Sequence, residues 1–188
     1  MVRVNPVSPL ARSLLQIVQL QLQKEVVFTL VPMTRELQTQ RRKFAQWKSQ
    51  SLEDSSSVGA IAPNTLTINF KPRNTIQFLS PRPDEVSSGI YYVPESPSQI
   101  AFDSFIVENG VLHIFQFTIA ESHSIEGGLM DFFSYKSLHK ILQEKELYII
   151  FVIPRGGKLV CPESSDERLK KFWKNAKFFI TEVDPKKK

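Results

Sequence analysis

Residues 100–125, IAFDSFIVENGVLHIFQFTIAESHSI, decide the fold of this chain. β-branched and aromatic residues fill both halves of the stretch, and Asn109-Gly110 separates them. An Asn-Gly pair is a preferred two-residue turn of a β-hairpin, because both positions of a type I′ turn need a positive φ angle. The sequence therefore predicts an antiparallel hairpin with apolar strands.

Three polar residues interrupt the apolar strands of this hairpin, namely Asp103, Gln116 and Thr118. Counting back from the turn pairs Asp103 with Gln116, whose Cβ atoms would lie about 5 Å apart. Because side chains alternate along a strand, the same register puts the three polar residues on one face and Phe102 and His113 on the other. Two interpretations stay open: a structural Asp–Gln hydrogen bond at the sheet rim, or a site where oxygen atoms bind a divalent cation.

The segments around the hairpin predict an α/β fold, with a central mixed sheet flanked by helices. Strand–helix–strand units place parallel strands side by side, and the continuous apolar run at 146–154 is typical of a strand buried on both faces. The predicted helices are 10–22, 34–51, 128–143 and 164–175, the strands outside the hairpin are 65–70, 75–79, 89–94, 146–154 and 177–183, and 26–31 is open between strand and helix.

Length and composition favour one globular domain of 188 residues, with 41% hydrophobic and 23% charged residues. We divide it into an N-terminal helical region (1–60) with a linker at 53–64, a core (61–184) and a basic tail (185–188). The longest apolar run is far shorter than the roughly 20 residues that cross a bilayer, so no membrane partner is expected. Cys161 is the single cysteine, which excludes an internal disulfide and favours an intracellular location, in the nucleus or cytoplasm.

The charge and the motifs narrow the class of partner. A net charge of +5 and a pI near 9.3 are compatible with a DNA partner, and also with an ordinary lysine-rich surface. The chain has no GxxxxGK[ST] or GxGxxG loop and no HExxH pair, so no nucleotide cofactor or zinc protease site is expected.

The strings YYVP, FDSFI, LHIFQFT and IAESHSI resemble the restriction-endonuclease-like domain of Crinkler and retrotransposon-hot-spot (RHS) proteins of eukaryotes. The resemblance spans about residues 75–155 and includes a Gly-Leu helix start. It implies the αβββαβ core of the PD-(D/E)XK nuclease superfamily. It also implies metal-dependent hydrolysis of DNA phosphodiester bonds by an effector-type protein, with magnesium or manganese as cofactor.

The same resemblance assigns roles to four neighbouring positions. Asp103 matches the first acid of the superfamily, and Gln116 stands where the second acid or its glutamine replacement lies. The main-chain carbonyl of Phe117 would join these two as a metal ligand. Thr118 occupies the lysine position, and its uncharged hydroxyl would not stabilise the charge that develops during hydrolysis.

Further residues complete or replace this degenerate D…QxT site in the nuclease hypothesis. His123 would shuttle a proton or contact phosphate, and Lys136 would replace the missing ammonium group, although each also has a structural interpretation as a junction histidine and a solvated lysine. Glu25 and Glu36 are alternative sources of a further acid. The alternative hypothesis is a catalytically inactive module that binds nucleic acid or protein, and members of these families often carry an upstream nucleotide-hydrolysing domain.

Overall fold

The structure is a computed structural model that describes residues 9–33, 65–78, 86–95, 102–120, 146–160 and 176–184. In this part of the chain, one helix packs on a mixed sheet of eight strands, which confirms the α/β class. No helix in it is long and apolar enough to cross a membrane. The elements are α1 (Pro9–Leu22), β1 (Val26–Pro32), β2 (Leu66–Phe70), β3 (Thr75–Phe78), β4 (Tyr91–Pro94), β5 (Ser104–Glu108), β6 (Val111–Phe117), β7 (Glu146–Pro154) and β8 (Ala176–Val183).

The hairpin predicted from Asn109-Gly110 forms between β5 and β6. Asn109 has a φ angle of 50° and Gly110 one of 78°, as a type I′ turn requires. The two strands pair antiparallel from Glu108↔Val111 to Ser104↔Phe115. Asn at the first position tolerates the left-handed conformation better than other non-glycine residues, so this dipeptide fixes the register of the strands.

Parallel strands continue the sheet from the hairpin. The sheet order is β2-β1-β8-β7-β6-β5-β4-β3, in which β6, β7 and β8 run parallel to one another. Five consecutive residues of β7, 149–153, are buried, as the continuous apolar pattern predicted. The predicted helices at 34–51, 128–143 and 164–175 and the linker at 53–64 lie outside the described residues.

The segment at 26–31, which the sequence left open, is strand β1. It pairs antiparallel with β2 on one side and with β8 on the other. Residues before position 60 and residues of the 61–184 range thus share one sheet.

Two apolar clusters cover the two faces of the sheet. The α1-side core packs beneath the helix, whose buried residues recur at the helical spacing of four. The far-side core fills the opposite face. The α1-side core includes Leu14, Val18, Leu22, Phe28, Phe70, Tyr91, Ile106, Phe115, Phe117, Ile150, Val152 and Phe179, and the far-side core includes Tyr92, Phe102, Phe105, Val107, Leu112, Ile114, Leu147, Ile149, Phe151 and Ile153.

The sheet is strongly curled, because its two edge strands are consecutive in sequence. Residues 71–74 alone join β2 to β3, which stand at opposite ends of the eight-strand order. A flat sheet of that size would separate its edges by about 34 Å, whereas such a loop spans at most about 18 Å. Phe70 of β2 accordingly packs against Phe115 of β6, with ring centroids 6.1 Å apart.

Candidate functional site

The regular pairing of the two hairpin strands ends at Ser104, the residue that follows Asp103 in the chain. The last ladder pair is Ser104↔Phe115, and the main-chain N–H of Asp103 also donates to the Phe115 carbonyl at 3.1 Å. Two residues of one strand thus lie opposite one residue of its neighbour, the arrangement of a β-bulge. The predicted direct pairing of Asp103 with Gln116 is therefore wrong. Asp103 is the extra residue of the bulge and lies, together with Ser104, opposite Phe115.

The bulge also changes which side chains share a face. Phe102 and Phe105 both pack in the far-side core, although strict alternation places residues three apart on opposite faces. Phe102 was expected on the face opposite Asp103 and Gln116, and the bend at Asp103 reverses that expectation. Gln116 lies between Phe115 and Phe117, which both pack on the α1 side, so its own side chain faces the far side of the sheet. The alternation that grouped Gln116 with Asp103 does not hold across the bend.

The Asp103 carboxylate is directed to the main chain of the neighbouring strand. Its Oδ2 accepts a hydrogen bond from the Phe117 N–H at 2.7 Å. Burial raises the pKa of Asp103 to about 6, and this hydrogen bond lowers it in part. The carboxylate therefore acts as a cap for a strand end, in surroundings that disfavour its charge.

Two further polar side chains of the hairpin, Ser104 and Thr118, have local partners. The Thr118 hydroxyl accepts the Ala120 N–H at 3.1 Å, and the Thr118 side chain is buried. The Tyr91 hydroxyl donates to the Ser104 hydroxyl at 2.7 Å, and burial raises the pKa of Tyr91 well above its ordinary value. Gln116 is 5% exposed, so solvent reaches little of it. These positions are closed parts of the fold.

His113 belongs to the core, on the face that its position in β6 predicts. It is buried, and its ring meets the edges of Phe70 and Tyr148 with centroids 5.2 and 5.5 Å away. Burial and the neighbouring Arg73 charge lower its pKa to about 4, so His113 is neutral at physiological pH. This residue packs as an aromatic ring.

A partly buried ion pair near His113 was not expected from the sequence. Arg73 Nη2 lies 2.9 Å from Glu108 Oε2, and the Arg73 side chain is 3% exposed. Arg73 also donates through Nε to the Lys71 carbonyl and lies over the Phe70 ring. The pair ties the 71–74 loop to the β5–β6 hairpin. Residues 35 positions apart carry no local pattern that would reveal it.

The remaining residues of the nuclease hypothesis add nothing to the described site. His123, Lys136 and Glu36 lie outside the described residues. Glu25 follows α1, is exposed and accepts a hydrogen bond from Asn69 Nδ2 at 2.7 Å. Its carboxylate is thereby engaged with strand β2.

The described D…QxT residues offer few charged oxygen ligands for a magnesium ion. Magnesium is held through hard, charged oxygen ligands in octahedral geometry. Asp103 is the one carboxylate at the D…QxT residues, its burial raises its pKa to about 6, and Gln116 lies in β6 between two residues that face α1. Among the described residues, no three Asp, Glu, His or Cys side chains form a group that could hold a metal.

A basic turn lies at the same end of the sheet as these residues. Thr118 N–H donates to the Val152 carbonyl, and β7 ends two residues later, where the exposed Arg155 and Lys158 flank Gly156-Gly157. Gly156 has a φ angle of 76° and its N–H donates to Glu182 Oε2 at 3.2 Å. Residues 155–158 were not among the predicted site residues. The sequence signal for them is a pair of cations around two glycines after a buried strand.

Comparison of this chain with protein-family models, with curated proteins and with solved structures finds no match.

Proposed function

We propose that this chain is a DNA-binding domain on a restriction-endonuclease-like sheet, which binds DNA without hydrolysing it. The observation that carries the proposal is how the polar D…QxT side chains lie in the fold: Asp103 is half-buried and hydrogen-bonded, and Gln116 and Thr118 are buried. Asp103 caps the Phe117 N–H, Thr118 accepts the Ala120 N–H, and Gln116 and Thr118 are 5% and 4% exposed. A phosphodiester bond has no open carboxylate cluster to approach at these residues.

The order of the central strands supports the proposed fold type. Strands β4, β5 and β6 form an antiparallel meander, and β7 then returns parallel to β6. This is the strand order of the βββαβ portion that the resemblance implies. Asp103 directly precedes β5, Gln116 lies in β6 and Thr118 directly follows β6, close to the positions that the resemblance implies.

Charge supports nucleic acid as the partner. The chain carries a net charge of +5, and Arg155 and Lys158 are exposed at the sheet end where Thr118 lies. Cationic side chains that neutralise phosphates supply most of the sequence-independent affinity for DNA.

One contact favours a second candidate, a magnesium-dependent deoxyribonuclease. The 2.7 Å hydrogen bond between Asp103 Oδ2 and Phe117 N brings the acid next to the middle residue of the QxT triplet. In the nuclease hypothesis these two residues supply neighbouring metal ligands. Such an enzyme would need a further acid besides Asp103.

A paired assay of binding and cleavage tests both candidates. Wild-type protein and Asp103→Asn are titrated against a fluorescent 30-base-pair duplex, and both are incubated with plasmid and linear DNA in magnesium or manganese. We expect both proteins to bind with similar affinity and neither to cut. Metal-dependent cutting by the wild type alone would overturn the proposal in favour of the nuclease. Absence of both binding and cutting would overturn both candidates and favour a protein partner.

A further inference from the structure

We propose that the basic turn, residues 155–158, binds the phosphate backbone of the nucleic acid, and that Glu182 competes with phosphate for the turn. The inference rests on the proposed DNA-binding function and names the surface that performs it. Strands β6, β7 and β8 run parallel and end together, and open α/β sheets bind ligands beyond the carboxyl ends of such strands.

The main chain holds the turn in a fixed position. Arg155 N–H donates to the Val183 carbonyl at 3.0 Å, and Gly157 N–H donates to the Pro154 carbonyl at 2.8 Å. Gly157 is closely approached, since a Cβ there would lie 2.8 Å from the Pro154 oxygen. The turn therefore presents two cationic side chains from a backbone that is anchored to β8.

Glu182 shows that this turn accepts an anionic oxygen. The residue is exposed on β8, and its Oε2 receives the Gly156 N–H at 3.2 Å. A carboxylate oxygen and a phosphate oxygen make the same kind of hydrogen bond with a main-chain N–H. Glu182 thus occupies the donor that a phosphate would use, and its charge opposes the approach of a phosphate to Arg155.

Two charge changes of opposite sign test this arrangement. Glu182→Gln keeps an oxygen for the Gly156 N–H and removes the charge, so it should tighten binding of the duplex about threefold to tenfold. Arg155→Gln and Lys158→Gln should each weaken binding about threefold to tenfold and reduce the slope of log affinity against log salt by about 1.

Matched controls come from the other end of the same strands. Glu146 of β7 and Lys177 of β8 form an exposed ion pair there, with Nζ and Oε2 2.9 Å apart. Glu146→Gln and Lys177→Gln change the net charge as Glu182→Gln and Arg155→Gln do. We expect these controls to alter affinity less than twofold.

The outcomes separate the two levels of the proposal. Wild-type binding with equal effects of the turn variants and the controls would overturn the role of the turn and leave the DNA-binding function standing. No wild-type binding to duplex DNA, single-stranded DNA or RNA would overturn both. Thermal unfolding of every variant checks that the folded fraction is the same, and the salt slope gives a second readout that a loss of folded protein would not change.

Discussion

Asp103 shows how the hairpin accommodates a polar side chain among apolar residues. An unpaired carboxylate in an apolar setting is very costly, and a hydrogen bond from a main-chain N–H offsets part of that cost. The bond from Phe117 serves this purpose, and burial still raises the pKa of Asp103 to about 6. Protonation of Asp103 therefore stabilises the fold.

Asp103→Asn should change how stability depends on pH. Because the pKa of Asp103 rises from its ordinary value of 3.8 to about 6 in the fold, its stabilising contribution is complete below about pH 4 and is lost as pH rises through 6. Relative to the Asn variant, the wild type should lose about 2 to 3 kcal/mol of unfolding free energy between pH 4 and 7. Urea unfolding at a series of pH values measures this difference.

Asp103→Ala is the companion variant for the hydrogen bond. It removes the acceptor of the Phe117 N–H, and a buried donor without a partner costs about 1 to 3 kcal/mol. The Ala variant should thus be less stable than the Asn variant at every pH. Equal stability of the two would show that the hydrogen bond has no net effect.

His113 should give a pH dependence of the opposite sign. Its pKa falls from 6.5 to about 4 in the fold, so its contribution is complete above pH 6.5 and is lost as pH falls toward 4. In the Asp103→Asn background, unfolding free energy should fall by about 3 kcal/mol over that interval. His113→Phe keeps an aromatic ring between Phe70 and Tyr148 and should remove the slope.

Unfolding free energy that still falls between pH 6.5 and 4 in the Asp103→Asn/His113→Phe double variant would contradict the assignment to His113. In the wild type the two slopes oppose each other between pH 4 and 6. A flat wild-type profile with two sloped variants is therefore the pattern that supports both assignments.

The sequence predicted the features of this site that depend on neighbouring residues in the chain. The Asn109-Gly110 turn fixed the pairs from Glu108↔Val111 to Ser104↔Phe115. The bulge at Asp103 was missed, because strict alternation of side chains along a strand assumes that no extra residue interrupts the pairing. Its trace in the sequence is weak: Phe102 and Phe105 are both large and aromatic although they are three residues apart.

At the scale of elements, the Arg73–Glu108 ion pair links the loop after β2 to the hairpin. Glu108→Gln leaves the Arg73 guanidinium, which is 3% exposed, without its counter-charge. Loss of a hydrogen bond between charged groups typically costs about 1.5 to 3 kcal/mol, and the Arg73–Glu108 pair is partly buried. We expect a loss of that size in unfolding free energy, measured by urea unfolding at pH 7.

A double-mutant cycle with Arg73→Met separates the pair from the packing of its side chains. The double variant should be more stable than Glu108→Gln, because no unpaired cation remains. The exposed Lys177–Glu146 pair serves as a comparison and should show little coupling. Additive losses at Arg73 and Glu108 would contradict a direct interaction.

Elements with strong local signals were predictable, and contacts between distant elements were not. The helix at Pro9–Leu22 followed from its apolar spacing, and β7 followed from its uninterrupted apolar run. The segment 26–31 stayed open because its six β-branched or apolar residues fit either element, and pairing with β2 and β8 decides for a strand. The Arg73–Glu108 pair depends on the curl of the sheet, which no local window contains.

At the scale of the whole molecule, the centre of the sheet should be its most stable part. Strands β6 and β7 have hydrogen-bonded neighbours on both sides and apolar clusters on both faces. Native-state hydrogen exchange should show that amides of 112–117 and 147–153 exchange only by global unfolding. Amides of 75–78, on the edge strand β3, should exchange through smaller openings. Equal protection of β3 and β6 would contradict this order.

The overall architecture was predictable at the level of class and strand direction. Alternation of strand and helix signals after residue 100 predicted parallel neighbours, and β6, β7 and β8 are parallel neighbours. The position of β1 between β2 and β8 was not predictable, because an antiparallel strand inserted from the N-terminal part has no sequence signature of its partner.

The short loop 71–74 connects the two edge strands of the sheet, β2 and β3. If the hydrogen bonds between any one pair of neighbouring strands break, the two parts of the sheet therefore stay joined through this loop. A local opening is then held to a small amplitude, and the separated strands meet again without a search. Cleavage of this loop would release β2 and β3 from each other, and a local opening of the sheet could then proceed to unfolding.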